Sequence, residues 1–200
     1  MPTAIRTFAL LLALLPVLTA TAQSPAPQPA WLQNVRALAI AQLDAELRHA
    51  HARHAADGRP LPEPVKQLMR GLVPDDLLEA ARFTVSVDAP TLPALLNRGN
   101  RELLGQDHAV SLPDLIVFSR EPTLQHAADA RWWGHELAHL LQYRQWGGTA
   151  AFAQRYVDDF QAVEREAEIL GRQARQRFLA GSRDTPEAAT IAAPVTAAIP

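Results

Sequence analysis

The sequence predicts an α+β fold, mainly α, with a small sheet packed on one central helix. Three observations predict it. Apolar residues recur at helical spacing in long stretches near residues 32–47, 124–145 and 159–179. Only two short runs, Phe83-Thr84-Val85-Ser86-Val87 and Asp114 to Ser119, have strand character. Pro74 and Gly147-Gly148 supply sharp breaks between elements.

The elements follow in chain order. Met1 to Arg6 carries one positive charge, Phe8 to Leu18 is apolar, and Ala20-Thr21-Ala22 is a small-residue site. Residues 1–22 thus read as a secretory signal peptide cleaved after Ala22, which makes the expected location periplasmic or secreted in a bacterium. The apolar run is shorter than the ~18 residues a membrane span needs, so no stable span is expected after cleavage. Residues 23–30 (QSPAPQPA) form a Pro-rich linker. Residues 31–181 are one domain, about 150 residues being enough for one core. Within it, Leu32, Val35, Ala39, Leu43 and Leu47 mark an amphipathic helix. Two short helices follow, Pro64 to Arg70 and Asp75 to Ala81, with Asp75 as a cap.

Residues 83–87 alternate apolar and hydroxylic side chains, as a half-buried strand does, and Leu115-Ile116-Val117-Phe118 forms the second strand. A helix over 124–145 buries Trp133, Leu137, Leu140 and Leu141 and stops at Gly147-Gly148. A last helix over 159–179 turns Val163, Ala167, Leu170, Ala174 and Phe178 inward. Residues 182–200 are rich in Ala, Thr and Pro, lack charge after Glu187 and read as a disordered tail. No internal repeat is found.

Composition excludes some functions. The chain has no cysteine, hence no disulfide and no thiolate metal site. Its net charge is −2, and −3 once Arg6, the only charge in the signal segment, is removed. A nucleic-acid partner calls for a basic surplus, so none is expected.

The chemistry concentrates in His135-Glu136-Leu137-Ala138-His139. Positions i and i+4 share a helix face, so both imidazoles can point at one metal ion, with Glu136 placed as general base. A chain of this composition shows H-E-x-x-H by chance with probability about 0.012, so context must support it. A catalytic zinc takes three protein ligands and keeps one position open. Gln142 and Gln145 stand where the metzincin extension has Gly and His, and no histidine follows His139. A downstream third ligand is then a carboxylate, as in the His₂Glu class. The run Glu164-Arg165-Glu166-Ala167-Glu168 offers candidates. Glu164 is the preferred ligand. Glu168, one turn on, would orient a ligand histidine through its free ring N–H. Glu166 lies about 200° round the helix from Glu164 and does not share the task.

Other titratable groups are weaker candidates. His49, His51 and His54 could gather a metal, but Arg48 and Arg53 oppose a cation, and a solvated helix end is the better reading. His108 and His126 stand alone. Tyr143 and Tyr156 are candidate oxyanion donors, with packing as the default.

The H-E-x-x-H followed by a helix bearing Glu-x-x-x-Glu resembles the gluzincin zinc metallopeptidases. Four runs are also similar to the bacterial eCIS-core-type domain, named for extracellular contractile injection systems and regarded as a metallopeptidase. They are Ser111 to Phe118, Trp133 to Gly147, Phe152 to Tyr156 and Val163 to Ala167. The resemblance covers about residues 107–170. It implies a zincin-like core with Zn²⁺ held by His135, His139 and Glu164, and Glu136 as base. A strand near the metal helix would flank the cleft, and an exposed edge there could hold an extended peptide. The expected function is a secreted zinc metallopeptidase acting on a peptide or protein substrate. The alternative is an exported zinc-binding module that recognises a partner without cutting it.

Overall fold

The computed structural model describes residues 29–89 and 108–183. The expected signal peptide, most of the linker and nearly all of the tail lie outside them.

The fold is mainly helical with one small mixed sheet, as the sequence predicts. The order is α1 (Ala30–His54), a 3-10 turn (Ala55–Asp57), β1 (Arg59–Pro60), α2 (Glu63–Met69) and α3 (Asp75–Ala80), then β2 (Arg82–Val85), β3 (Ala109–Ser111), β4 (Leu115–Phe118), α4 (Ala127–Trp146) and α5 (Thr149–Arg183). The sheet order is β1-β2-β4-β3. β2 and β4 pair in parallel with Phe83 opposite Ile116, while β3 runs antiparallel to β4 with Ser111 opposite Ile116.

β4 is buried along its whole length because both faces of the sheet are covered. Ile116 and Phe118 turn to one face and pack with Phe83, Trp133, Leu137, Ala167 and Ala174. Leu115 and Val117 turn to the other and pack with Leu43, Leu47, Tyr143 and Phe152. The period of two along a strand thus feeds two cores from one four-residue run. The Trp133 ring meets Phe83 and Phe118 edge-on, at centroid distances of 5.1 and 4.6 Å. Removing such a fully buried ring costs about 3–5 kcal/mol.

Several boundaries differ from the sequence reading. The sheet has two strands that the sequence did not signal, β1 and β3. Both are too short to show a period. β2 ends at Val85, and Val87 is exposed in a turn. Thr84 is buried like Phe83 beside it, so β2 is covered on both faces there and is not half-buried. Asp75 is the first residue of α3, and Pro74 occupies the cap position. α4 begins only at Ala127, since Leu124 adopts a left-handed φ of 57°. Its end is as expected, with Gly147 at φ 95° in the left-handed region that favours glycine. In α1 the predicted inner face is buried only from Leu43 onward, and Val35 is exposed.

α5 is longer than predicted at both ends and bends at Asp159, whose φ/ψ of −154°/77° is not helical. Asp159 Oδ1 accepts a hydrogen bond from the Ala162 N–H at 2.9 Å, so it caps the second stretch. The predicted start at residue 159 therefore marks an internal break. The helix runs to Arg183, two residues into the segment read as tail. Arg36 binds both Asp158 oxygens, tying α1 to α5 just before the bend. No helix among the described residues is long and apolar enough to cross a membrane.

Candidate metal centre

A close helix crossing sets the geometry of the centre. A Cβ on Gly134 would lie 2.7 Å from Ala174 Cβ and 2.9 Å from the Leu170 carbonyl. A Cβ on Gly171 would lie 2.9 Å from the Arg131 carbonyl and 3.4 Å from His135 Cβ. Only hydrogen fits at either place, so α4 and α5 run almost backbone to backbone beside His135. That closeness lets the Glu164 carboxylate on α5 reach the imidazoles of α4.

His135 and His139 stand one turn apart with their rings nearly perpendicular, 4.9 Å between centroids. Their Nε2 atoms are 3.2 Å apart. Glu164 Oε2 is 3.3 Å from His135 Nε2, and Oε1 is 3.8 Å from His139 Nε2. Two ligand atoms about 2.1 Å from one ion at a tetrahedral angle are about 3.4 Å apart. The imidazole pair and the His135–Glu164 Oε2 contact are close to that edge, while His139 meets the other Glu164 oxygen at a longer 3.8 Å, and this group could hold a metal ion. It is the one such group of three His, Cys, Asp or Glu residues among the described residues. The His139 side chain is 3% exposed, while His135 and Glu164 are 22% and 34% exposed. The trio is closed on the His139 side and open on the other, which leaves a solvent-facing position.

Burial and charge pull the three groups differently. Burial lowers the His139 pKa below the usual histidine value, against the opposing charge of Glu136. Burial also acts to lower His135, but its hydrogen bond to Glu164 and the charges of Glu136, Glu164 and Glu168 outweigh this and raise it. For Glu164 burial works upward, yet the hydrogen bond from His135 and the nearby imidazoles hold it below the usual glutamate value.

Glu136 is buried, and its charge acts on both imidazoles. Ser111, on the edge strand β3, donates to it from Oγ, which lies 2.8 Å from Glu136 Oε2 and 3.0 Å from its main-chain carbonyl. Nothing in a single Ser before a strand predicts this contact, and the sequence reading missed it. It also missed Gln142, whose Oε1 lies 2.8 Å from His139 Nδ1. The spacing i+3 from His139 carried that signal, since it sets both residues on one helix face.

Glu168 does not orient a ligand histidine as expected. Its two oxygens take a bidentate grip from Arg131, at 3.0 and 2.7 Å, with Arg172 at 3.6 Å. His135 Nδ1 is left 3.9 Å away, beyond a hydrogen bond. The Arg131 hydrogen bond keeps the Glu168 carboxyl below its usual pKa. A planar guanidinium fits both carboxylate oxygens at once and wins over one ring N–H. Glu166 is not one of the trio, and it accepts from Gln142 Nε2 at 3.1 Å.

The tyrosines divide. Tyr156 lies beside Glu164, and burial together with that carboxylate raises its phenol pKa. It therefore adjoins a member of the trio. Tyr143 stacks on Phe152 at 4.1 Å with its hydroxyl buried and unpartnered, so it belongs to the core. The histidines of α1 are not uniformly solvated. His51 pairs with Asp114 at 2.5 Å, and His54 is buried, with its pKa lowered by burial and by Arg53. His108 Nε2 lies 3.0 Å from the Ala89 carbonyl.

The strand 115–118 is interior, paired on both sides, and offers no edge for a peptide. The strand at the sheet's edge beside α4 is β3. Its residues alternate, with His108 and Leu112 bonded to Ser119 and Leu115. The backbone groups of Ala109 and Ser111 therefore face away from β4.

No family model, curated protein or solved structure matches this chain.

Proposed function

We propose that this protein is an exported zinc-dependent metallopeptidase. One observation carries the reading: two imidazole nitrogens 3.2 Å apart with the oxygens of one carboxylate 3.3 and 3.8 Å from them, the group being partly exposed to solvent on the His135 and Glu164 side. Two imidazoles and a carboxylate suit zinc, with three protein ligands and an open position as in catalytic sites. When bound, Zn²⁺ polarises a carbonyl and lowers the pKa of water toward about 7.

The chain's own residues supply the rest. Glu136 accepts the proton of the attacking water and passes it to the leaving amine. Ser111 holds Oε2 of that carboxylate, which leaves Oε1 to take the proton. A purely structural metal site has no use for a buried carboxylate aimed beside the histidines, which favours the enzyme over a non-catalytic zinc module.

The test is Glu136→Gln. It should retain one zinc per chain and lose hydrolysis of a peptide library by about 10²–10⁴-fold, the scale of a lost general base. Full turnover in that variant would remove Glu136 from the reaction. Wild-type protein that binds zinc and leaves the library uncut, with or without a chelator, would favour the binding module.

A further inference from the structure

Gln142 stands between the two helices that carry the metal-binding side chains, 4% exposed. Its Nε2 lies 3.0 Å from the Val163 carbonyl and 3.1 Å from Glu166 Oε2. Both are acceptors, so the amide nitrogen must face them, one hydrogen to each. Turned over, the amide would set its oxygen against a carbonyl and a carboxylate. Oε1 is therefore held toward His139, 2.8 Å from Nδ1. An acceptor there requires the ring proton on Nδ1 and leaves the Nε2 lone pair free. Nε2 is the atom that faces His135 and Glu164. The Val163 carbonyl, for its part, belongs to the peptide bond that leads into Glu164.

The geometry points to Gln142 as a positioning residue: one buried amide sets the tautomer of His139 and ties its ring to the backbone immediately before Glu164. Two ligands from different helices are thus registered by a single side chain. The inference rests on the metal reading proposed above. Glutamine suits the place better than glutamate, because the same group must accept from the imidazole and donate to α5. A carboxylate at 142 would face the Val163 carbonyl and Glu166 with lone pairs on both sides.

The experiment is a zinc and cobalt(II) titration of the full chain and its variants against a chromophoric chelator. Gln142→Met keeps the length and volume and loses both hydrogen-bonding ends. Its zinc affinity should fall about 10- to 100-fold, as when other partners of ligand histidines are removed, with a changed cobalt d–d spectrum. Gln142→Glu should lose affinity too, and Gln142→Glu with Glu166→Gln should recover part of it by restoring a donor opposite a carboxylate. Should Gln142→Met not fold, the comparison of Gln142→Glu with its double variant decides alone.

A merely structural glutamine would lower the melting temperature of the metal-free protein and leave the cobalt spectrum unchanged. Wild type that binds zinc, with Gln142→Met equal to it in affinity and spectrum, overturns the positioning role alone. The same follows if Gln142→Met does not fold and Gln142→Glu matches wild type. Wild type that binds no zinc overturns the metal centre and this inference with it.

Discussion

Ser111 Oγ sits 2.8 Å from Glu136 Oε2, so an edge-strand hydroxyl holds the carboxylate beside the two histidines. Ser111 is itself only 2% exposed, so its side chain is committed to the base. Ser111→Ala should therefore slow turnover without emptying the centre. A hydrogen bond to a charged group is worth about 1.5–3 kcal/mol, of which some is recovered by water, so roughly a tenfold drop in kcat is expected. KM and zinc content should stay near wild type, and Ser111→Thr should restore most of the rate. Steady-state kinetics on a cleaved library peptide checks it. An unchanged kcat would show that Glu136 needs no such support.

Glu164, Glu166 and Glu168 form a graded series. Glu164 contributes an oxygen to the trio, Glu166 only braces Gln142, and Glu168 is held by arginines. Zinc content measured after dialysis should fall most in Glu164→Ala and least in Glu168→Ala. Glu166→Ala should lie between. Any other order would move the third ligand or deny Gln142 its part.

The fold class and the trio were legible because each rests on local periodicity. His135, His139 and Glu164 lie on helices whose apolar faces fix their inward side, and Leu115 to Phe118 is apolar at every position because both its faces are covered. What was not legible depends on contacts far apart in the chain. β3 is three residues long and is defined by its pairing to β4, so Ser111 carries no signal of its own. Glu168 was misplaced because Arg131, 37 positions earlier, competes for it across the helix crossing. Gly134 sits immediately before the motif, yet only the approach of Gly171 and Ala174 shows why the small residue is there.

The ionisable pair in the centre predicts a pH window for the metal-free protein. The folded pKa of His135 is raised above 6.5, so its contribution is complete below 6.5 and is lost as pH rises through the higher folded value. The folded pKa of Glu164 is depressed below 4.5, so its contribution is complete above 4.5 and is lost as pH falls through the lower folded value. Both are present together between 4.5 and 6.5. His139, lowered by burial, opposes folding at acid pH, but that effect is shared by variants that leave it in place. The melting temperature of wild type minus that of Glu164→Gln, both in chelator, should peak inside this window. A difference that is largest at pH 8 would mean that the His135–Glu164 pair is not formed. In the same way zinc must displace a proton from His135, so affinity should begin to weaken while pH is still above 6.5.

Gly134→Ala tests whether the helix crossing governs the centre. In an isolated helix this change is favourable by about 1 kcal/mol. Here the new methyl would sit 2.7 Å from Ala174 Cβ and 3.0 Å from Gly171 Cα, neither of which can swing aside. The helices must separate, at a cost of about 1–3 kcal/mol for overpacking. Separation also draws Glu164 away from His135 and His139, since they lie on opposite sides of the crossing. Gly134→Ala should therefore lower both the melting temperature and zinc affinity. Gly181→Ala, on the same α5 helix where a Cβ meets nothing within 4 Å, should raise the melting temperature and leave zinc affinity alone. Thermal unfolding with and without zinc checks both. A Gly134→Ala protein more stable than wild type, with zinc affinity intact, would show that the close approach of α4 and α5 is not what brings Glu164 to the histidines.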